Sequence, residues 1–164
     1  MSRTCVLIFF AALLGGCAIP DGPPYLEYKA SVGKPGHATL YIYRENAVPT
    51  AFPTTIYIDD KPVTDLAQKG YTWVYAKPGL RKLNATWSEA SRQKPATVKL
   101  DFAEGNTYYL AVLGTYEFRP IYAGGLWNVQ NFHMASDLVP VSPTVAEEAL
   151  TRCCSLHKPL QQDY

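Results

Sequence analysis

Ala38-Thr39-Leu40-Tyr41-Ile42-Tyr43 places an aliphatic residue at every second position and Thr or Tyr between them. Successive side chains of an extended chain point to opposite faces, so this stretch reads as a half-buried β-strand. Thr55 to Asp59 repeats the pattern, with Ile56 and Ile58 on one face and Tyr57 on the other. Asp59-Asp60-Lys61-Pro62 then supplies turn chemistry. Tyr71 to Ala76 is a third strand, closed by Lys77-Pro78-Gly79. There the proline presets φ for the first central turn position, and the glycine accepts a positive φ at the second. Leu83, Ala85 and Trp87 share one face of a fourth strand, and Val98, Leu100 and Phe102 one face of a fifth. Glu104-Gly105-Asn106 turns the chain into a sixth, Thr107 to Gly114. A seventh is expected from Leu126 to Phe132, after Gly124-Gly125.

Short strands separated by turns, with no helix between them, predict a mainly β protein: an antiparallel β-sandwich of about seven strands. One short C-terminal helix is expected, from Pro143 to about Cys154. Ser142 stands at its cap, Pro143 at its first position, and Val145, Ala149, Leu150 and Cys153 on one face.

The N-terminus has a different grammar. Met1 to Thr4 carries one charge, Arg3, and Cys5 to Leu14 is an unbroken apolar run ending in Leu14-Gly15-Gly16-Cys17. A charged n-region, a short apolar h-region and a small-residue cleavage site make a secretory signal. The run is too short to span a bilayer, which takes roughly 20 apolar residues. The last four residues resemble the lipobox of bacterial lipoproteins, in which the cysteine thiol receives a diacylglyceryl group and becomes the new N-terminus. The resemblance implies lipidation at Cys17 and contact with the membrane through that lipid. By the sorting rule of Gram-negative envelopes, Ala18 in place of Asp implies the outer membrane, facing the periplasm. Residues 18 to 36 contain Pro20, Pro23, Pro24 and Pro35 with Gly22, Gly33 and Gly36, and so read as a tether. Tyr25, Leu26 and Tyr28 are candidates to dock it on the domain. The expected organisation is a signal peptide at 1–16, the lipidated cysteine and tether at 17–36, the sandwich at 37–138, and helix and tail at 139–164.

The run Ala38 to Arg44, the segment Ile56-Tyr57-Ile58-Asp59-Asp60-Lys61-Pro62, Gly70 to Val74, Lys77-Pro78-Gly79 and Gly105-Asn106-Thr107-Tyr108-Tyr109 occur in that order. In this the chain resembles an uncharacterised family of small bacterial lipoproteins, domain of unknown function 2846, over roughly residues 37 to 115. The resemblance implies a prealbumin-like or immunoglobulin-like sandwich and no particular activity. The family often carries a basic residue and a histidine soon after the Pro-Gly turn. Here Leu80-Arg81-Lys82 follows, without a histidine.

Chemistry-bearing patterns are sparse. The chain holds fifteen Lys+Arg and fourteen Asp+Glu. Loss of Arg3 with the signal leaves no net charge, so there is no electrostatic footprint for nucleic acid and no polybasic stretch for anionic lipid. His37, His133 and His157 stand far apart, at no metal-ligand spacing. No metal or cofactor is expected. No nucleophile elbow or phosphate loop is present. Asp59 and Asp60 invite a cation reading, but neighbours on a strand point apart and this pair opens a turn, so a solvated turn is expected. Asn84-Ala85-Thr86 matches a glycosylation acceptor and reads as chance. Cys153-Cys154 is the most reactive-looking pair. Adjacent Cα atoms lie closer than the usual disulfide range and helical neighbours splay by about 100°. Core or bystander thiols are therefore expected, with a bond to another chain, or a thiol nucleophile or metal site helped by the nearby His157, as alternatives.

Twelve Tyr and three Trp are the other anomaly. Tyr41, Tyr43, Tyr57, Tyr71, Trp73 and Tyr75 alternate along three strands. If those strands are neighbours, Tyr41, Tyr57 and Trp73 form the centre of an aromatic binding face; the alternative is plain cross-strand packing. The expected function is that of a non-enzymatic, envelope-anchored binding or structural module with a protein or glycan partner. The alternatives are an accessory subunit of an envelope machine and a thiol-dependent enzyme using Cys153 or Cys154.

Overall fold

The computed structural model describes residues 20, 22–30, 33–48, 51–120 and 130–164; of residues 116–120 and 130–134 only the backbone is described. The expected signal peptide, Cys17, Gly124-Gly125 and most of the predicted seventh strand lie outside the described residues.

Nine strands, one α-helix and a 3-10 turn at Glu89–Ser91 are present among them: β1 Ala38–Arg44, β2 Thr54–Ile58, β3 Lys61–Leu66, β4 Gly70–Ala76, β5 Gly79–Trp87, β6 Ala96–Phe102, β7 Thr107–Pro120, β8 Gln130–Val141, α1 Pro143–Cys153 and β9 Ser155–Leu156. They form two sheets, β8-β7-β1-β4-β9 and β3-β2-β5-β6. The protein is thus a mainly β sandwich, as the alternation implies. Most pairings are antiparallel, but β1 pairs with β7 and β4 with β9 in parallel. The strands beyond the expected seven have local reasons. Asp59 and Asp60 both adopt positive φ, which closes a two-residue hairpin whose twist suits the flanking strands. Lys61-Pro62 therefore opens β3, where a sheet edge tolerates the proline. β9 is two residues long, too short to show a period.

Between the sheets, Leu40, Ile42, Val74 and Leu110 meet Ile56, Ile58, Leu83 and Ala85 in one cluster. Lys77-Pro78 carries the chain from β4 to β5, from one sheet to the other, and Gly79 takes the positive φ of the corner, 103°. Arg44, at the end of β1, clips a second crossing. Its buried guanidinium donates to the carbonyls of Phe52 (2.7 Å), Ala47 (2.9 Å) and Leu66 (3.2 Å). Burial lowers its pKa to about 10, so it stays charged at neutral pH.

β1 is buried at every residue, on both faces. The prediction of a half-buried strand is corrected here, because a third layer covers the outer face of the five-stranded sheet. Residues 22–30 and α1 form that layer. Tyr25, Tyr41, Tyr43, Tyr71, Trp73, Tyr109, Ala146, Ala149, Leu150, Cys154 and Leu156 make a second cluster beneath it. The helix lies where it was expected, with Pro143 in its first turn, although the Ser142 side chain makes no capping hydrogen bond. Its buried face holds Ala146, Ala149 and Leu150. Val145 is 57% exposed, a correction to the expected stripe: it sits about 100° round the helix from Ala146.

The segments before β1 and after α1 are built into the sandwich. Tyr25 donates its backbone N–H to Cys154 (3.1 Å), and Leu156 donates to Pro23 (2.9 Å). A Cβ on Gly22 would stand 2.3 Å from the Leu156 carbonyl oxygen, so only glycine lets the chain pass this close to β9. Beyond β9 the tail crosses the opening between β3 and β4. Leu160 donates to Val63 (2.7 Å), and Tyr164 donates to Tyr75 (2.8 Å) and accepts from Lys77 (2.7 Å). The Tyr164 ring enters the inter-sheet core and its hydroxyl donates to Pro62 (2.8 Å).

Tyr164→Ala should therefore cost about 3–5 kcal/mol, the range for removing a buried aromatic ring, seen as a lowered urea midpoint. A chain ending at Ser142 loses both the helical cover and this ring. It should bind a hydrophobic dye and lose its cooperative unfolding transition.

Candidate functional site

Tyr41, Tyr57 and Trp73 do not form one surface. Tyr41 and Trp73 are register partners across β1 and β4, but Tyr57 lies on β2, in the other sheet. Tyr41 is 4% and Trp73 9% exposed, so the expected aromatic binding face is corrected to a packed interior. Tyr41 stacks on Tyr109 with centroids 5.3 Å apart and meets Tyr25 edge-on at 5.8 Å. Tyr25 also meets Tyr71 edge-on at 5.4 Å. Trp73 packs edge-on against Tyr75 at 5.3 Å and lies 6.4 Å from the Tyr28 ring.

The phenol oxygens are tied to the cover. Ala30 donates its N–H to the Tyr41 hydroxyl (2.8 Å), Tyr71 donates to the Tyr28 carbonyl (2.5 Å), and Tyr109 donates to Glu147 of α1 (3.0 Å). Desolvation pushes the Tyr25 phenol up to about 12. It also raises Tyr41, Tyr71 and Tyr109.

Cys153 and Cys154 are bonded to each other. This overturns the expectation of free thiols, for a local reason. Cys154 has already left the helix, with φ −123° and ψ 137°, so the helical splay between neighbours does not apply. The pair sits where α1 turns into β9, and the Cys154 carbonyl is the acceptor for Tyr25. A thiol nucleophile here requires reduction first. Among the described residues, no group of three His, Cys, Asp or Glu is placed to hold a metal ion. The His37 ring lies 3.1 Å from the Pro35 carbonyl, and His157 follows β9, donating its backbone N–H to Tyr71 (2.7 Å).

Among the described residues, the outward side chains of the four-stranded sheet are only partly buried. There, Tyr57, Asp60, Asn84, Thr86 and Pro95 line a groove of about 330 Å³. The register sets it: Tyr57 lies opposite Asn84, and Thr55 opposite Thr86, all on the face away from the core. Thr97 donates to the Asn84 side-chain carbonyl (2.8 Å), which turns its amide toward Asp60 (3.3 Å). Lys82 pairs with the same Asp60 oxygen at 3.1 Å. Asp59, beside it, accepts the Lys82 backbone N–H (3.0 Å) and pairs with Arg81 (2.9 Å). The Lys82 backbone hydrogen bond and the Arg81 guanidinium hold its carboxyl below the usual range. Arg81 also donates to the Lys77 and Pro78 carbonyls, so one side chain braces both turns at this end of the sandwich. The two aspartates are turn residues, as expected, and Asp60 also walls the groove.

Of the groove residues, sequence reasoning named only Tyr57 for binding; it read Asp60 as a solvated turn residue and Asn84-Ala85-Thr86 as a chance glycosylation match. The signal for the others was the outward-facing polar positions of β5, Asn84 and Thr86, which became a site only once β2 and β5 were known to be neighbours. A second hollow of about 260 Å³ lies along β7, lined by Tyr43, Glu45, Asn46 and residues 111–115. Val48 crosses there so closely that a Cβ on Gly114 would stand 2.0 Å from its carbonyl oxygen.

The family model described as "Protein of unknown function (DUF2846)" matches residues 34–126, more than half of the chain. No curated protein and no solved structure matches.

Two outcomes follow from this geometry. Phenols with raised folded-state pKa values bind protons more tightly when folded. Their contribution is fully present below the unfolded value near 10 and is lost as pH rises toward and through the folded values. Urea stability should hold up to about pH 9 and then fall, by up to about 1.4 kcal/mol per pH unit for each such tyrosine; a flat profile to pH 11 would contradict the buried cluster. An alkylating reagent should modify neither Cys153 nor Cys154 in the unreduced protein and both after dithiol treatment, read by peptide mass.

Proposed function

We propose, from the premise that this chain belongs to the DUF2846 family of unknown function, that it is a lipid-anchored module of the bacterial cell envelope. It binds a glycan, without chemistry, in the groove of the four-stranded sheet. The observation that carries this reading is the groove itself. It joins one aromatic ring face to a carboxylate, an amide and a hydroxyl in a volume at the lower end of the range for ligand sites, about 300–1,000 Å³. A sugar ring offers the complementary surfaces: C–H faces that lie on Tyr57 and Pro95, and hydroxyls that both donate to Asp60 and accept from Asn84. Lys82 beside the groove is paired with Asp60, and the carboxylate in the wall suits a neutral saccharide better than an anion.

The anchor rests on the lipobox-like Leu14-Gly15-Gly16-Cys17. No helix among the described residues is long and apolar enough to cross a membrane. The placement of the groove agrees with an anchored module. Residues 22–30 dock on the outer face of the five-stranded sheet, and the groove opens on the outer face of the other. An anchor at Cys17 thus leaves the groove facing away from the membrane.

Titrating the purified domain against a panel of neutral oligosaccharides, including cell-wall fragments, tests the binding reading. Binding by the native protein should fall at least tenfold in Tyr57→Ala and in Asn84→Ala, about 1.4 kcal/mol or more, while both variants keep the native urea midpoint. Equal affinities would move the site elsewhere. For the anchor, Cys17→Ser should leave a precursor that no longer partitions into the detergent phase.

A further inference from the structure

The cover layer has an outer surface as well as an inner one, and that surface is not uniformly polar. Leu26 is 65% and Tyr28 47% exposed on the docked N-terminal segment, as is Val145 on α1. They belong to the two pieces that together roof the five-stranded sheet. The roof is also the part of the fold nearest to Cys17 along the chain. Gly22 is already packed against β9, and the five-residue step from Cys17 to Gly22 reaches at most roughly 18 Å.

We propose that the roof lies on the bilayer surface, with Leu26, Tyr28 and Val145 seated in the interfacial region beside the lipidated Cys17. The proposal rests on the lipoprotein reading and deepens it: the anchor does not hold a freely tumbling domain on a string, but orients it. The apolar side chains fit the acyl boundary, and a tyrosine suits the interface, where its ring is apolar and its hydroxyl stays wet.

The charges of the layer say which lipid it fits. Arg152 is paired with Glu45 (3.0 Å) and Glu148 (3.5 Å), and Glu147 accepts the Tyr109 hydroxyl. Lys29 lies over the Tyr25 ring, 4.5 Å from its centroid. With Glu27 the roof carries no basic excess, so contact is driven by apolar area and tethering. The fitting surface is zwitterionic lipid, without the steep salt dependence of a polybasic patch.

The test uses the full lipidated protein in phosphatidylethanolamine–phosphatidylcholine vesicles. Single cysteines replace exposed residues, Leu26→Cys or Val145→Cys on the roof and Leu80→Cys on the opposite sheet, where Leu80 is 66% exposed. Each is labelled with a fluorophore and exposed to a quencher carried on the lipid. Labels at 26 and 145 should be quenched several-fold more than the label at 80, and 0.5 M salt should not change the ratio. Equal quenching at all three positions in a protein that carries its lipid overturns the orientation while leaving the anchor intact. A protein that acquires no lipid and stays in the aqueous phase overturns the anchor and this inference together. Quenching at 26 and 145 that disappears in high salt assigns the contact to charge and overturns the apolar seating.

Discussion

The fold depends on keeping water from both faces of one sheet. An antiparallel-rich sheet commonly leaves one face solvated, but here the outer face of β1, β4 and β7 carries Tyr41, Tyr43, Tyr71, Trp73 and Tyr109. A buried aromatic side chain removes roughly 150–250 Å² from water. At about 25 cal/mol per Å² the exposed alternative costs several kcal/mol per ring. Such a face cannot stand bare on a monomer without becoming an adhesive patch. The chain covers it with pieces from both sides of the sandwich domain in sequence, residues 22–30 and α1, which meet at the Cys154 carbonyl and at β9.

That requirement explains features that look unrelated in isolation. Glycine at 22 is needed where the entering chain passes over Leu156. The joined cysteines fix the turn from helix to β9 that receives Pro23 and Tyr25. The phenols of Tyr41, Tyr71 and Tyr109 stay buried because the cover supplies a donor or acceptor for each; an unpaired hydroxyl in the same place would cost about 1–3 kcal/mol. The aromatic excess is thus accounted for by packing, and the surface left for a ligand is the polar face of the opposite sheet. There the side chains pair across strands, and among the described residues no second layer roofs them.

Asymmetry between the two faces is also what gives the functional reading its direction. One face is tied to the segment that leads back to Cys17, and the other opens on a groove whose turn residues are held by Arg81 and Lys82. Arg81 stands just past the Pro-Gly corner, where the family often has a basic residue and a histidine. Here that basic side chain serves geometry, linking the corner carbonyls to Asp59.

The sequence by itself determined the strands with clear alternation, the Pro78-Gly79 corner, the Glu104-Gly105 turn and the helix opened by Pro143, because each is a matter of local backbone preference and of a period along one segment. It also carried the family resemblance, which rests on the same local grammar. Which strands are neighbours is not local. A period of two says that Tyr41 and Tyr57 each leave their strand on the side away from the aliphatics, but the hydrogen-bond partners of β1 and β2 put those sides on opposite surfaces of the sandwich. The same holds for the short β9, for Tyr164 in the core and for the pairing of Cys153 with Cys154. Each was decided by where the chain had to go to keep water from the aromatic face and from the opening between the sheets.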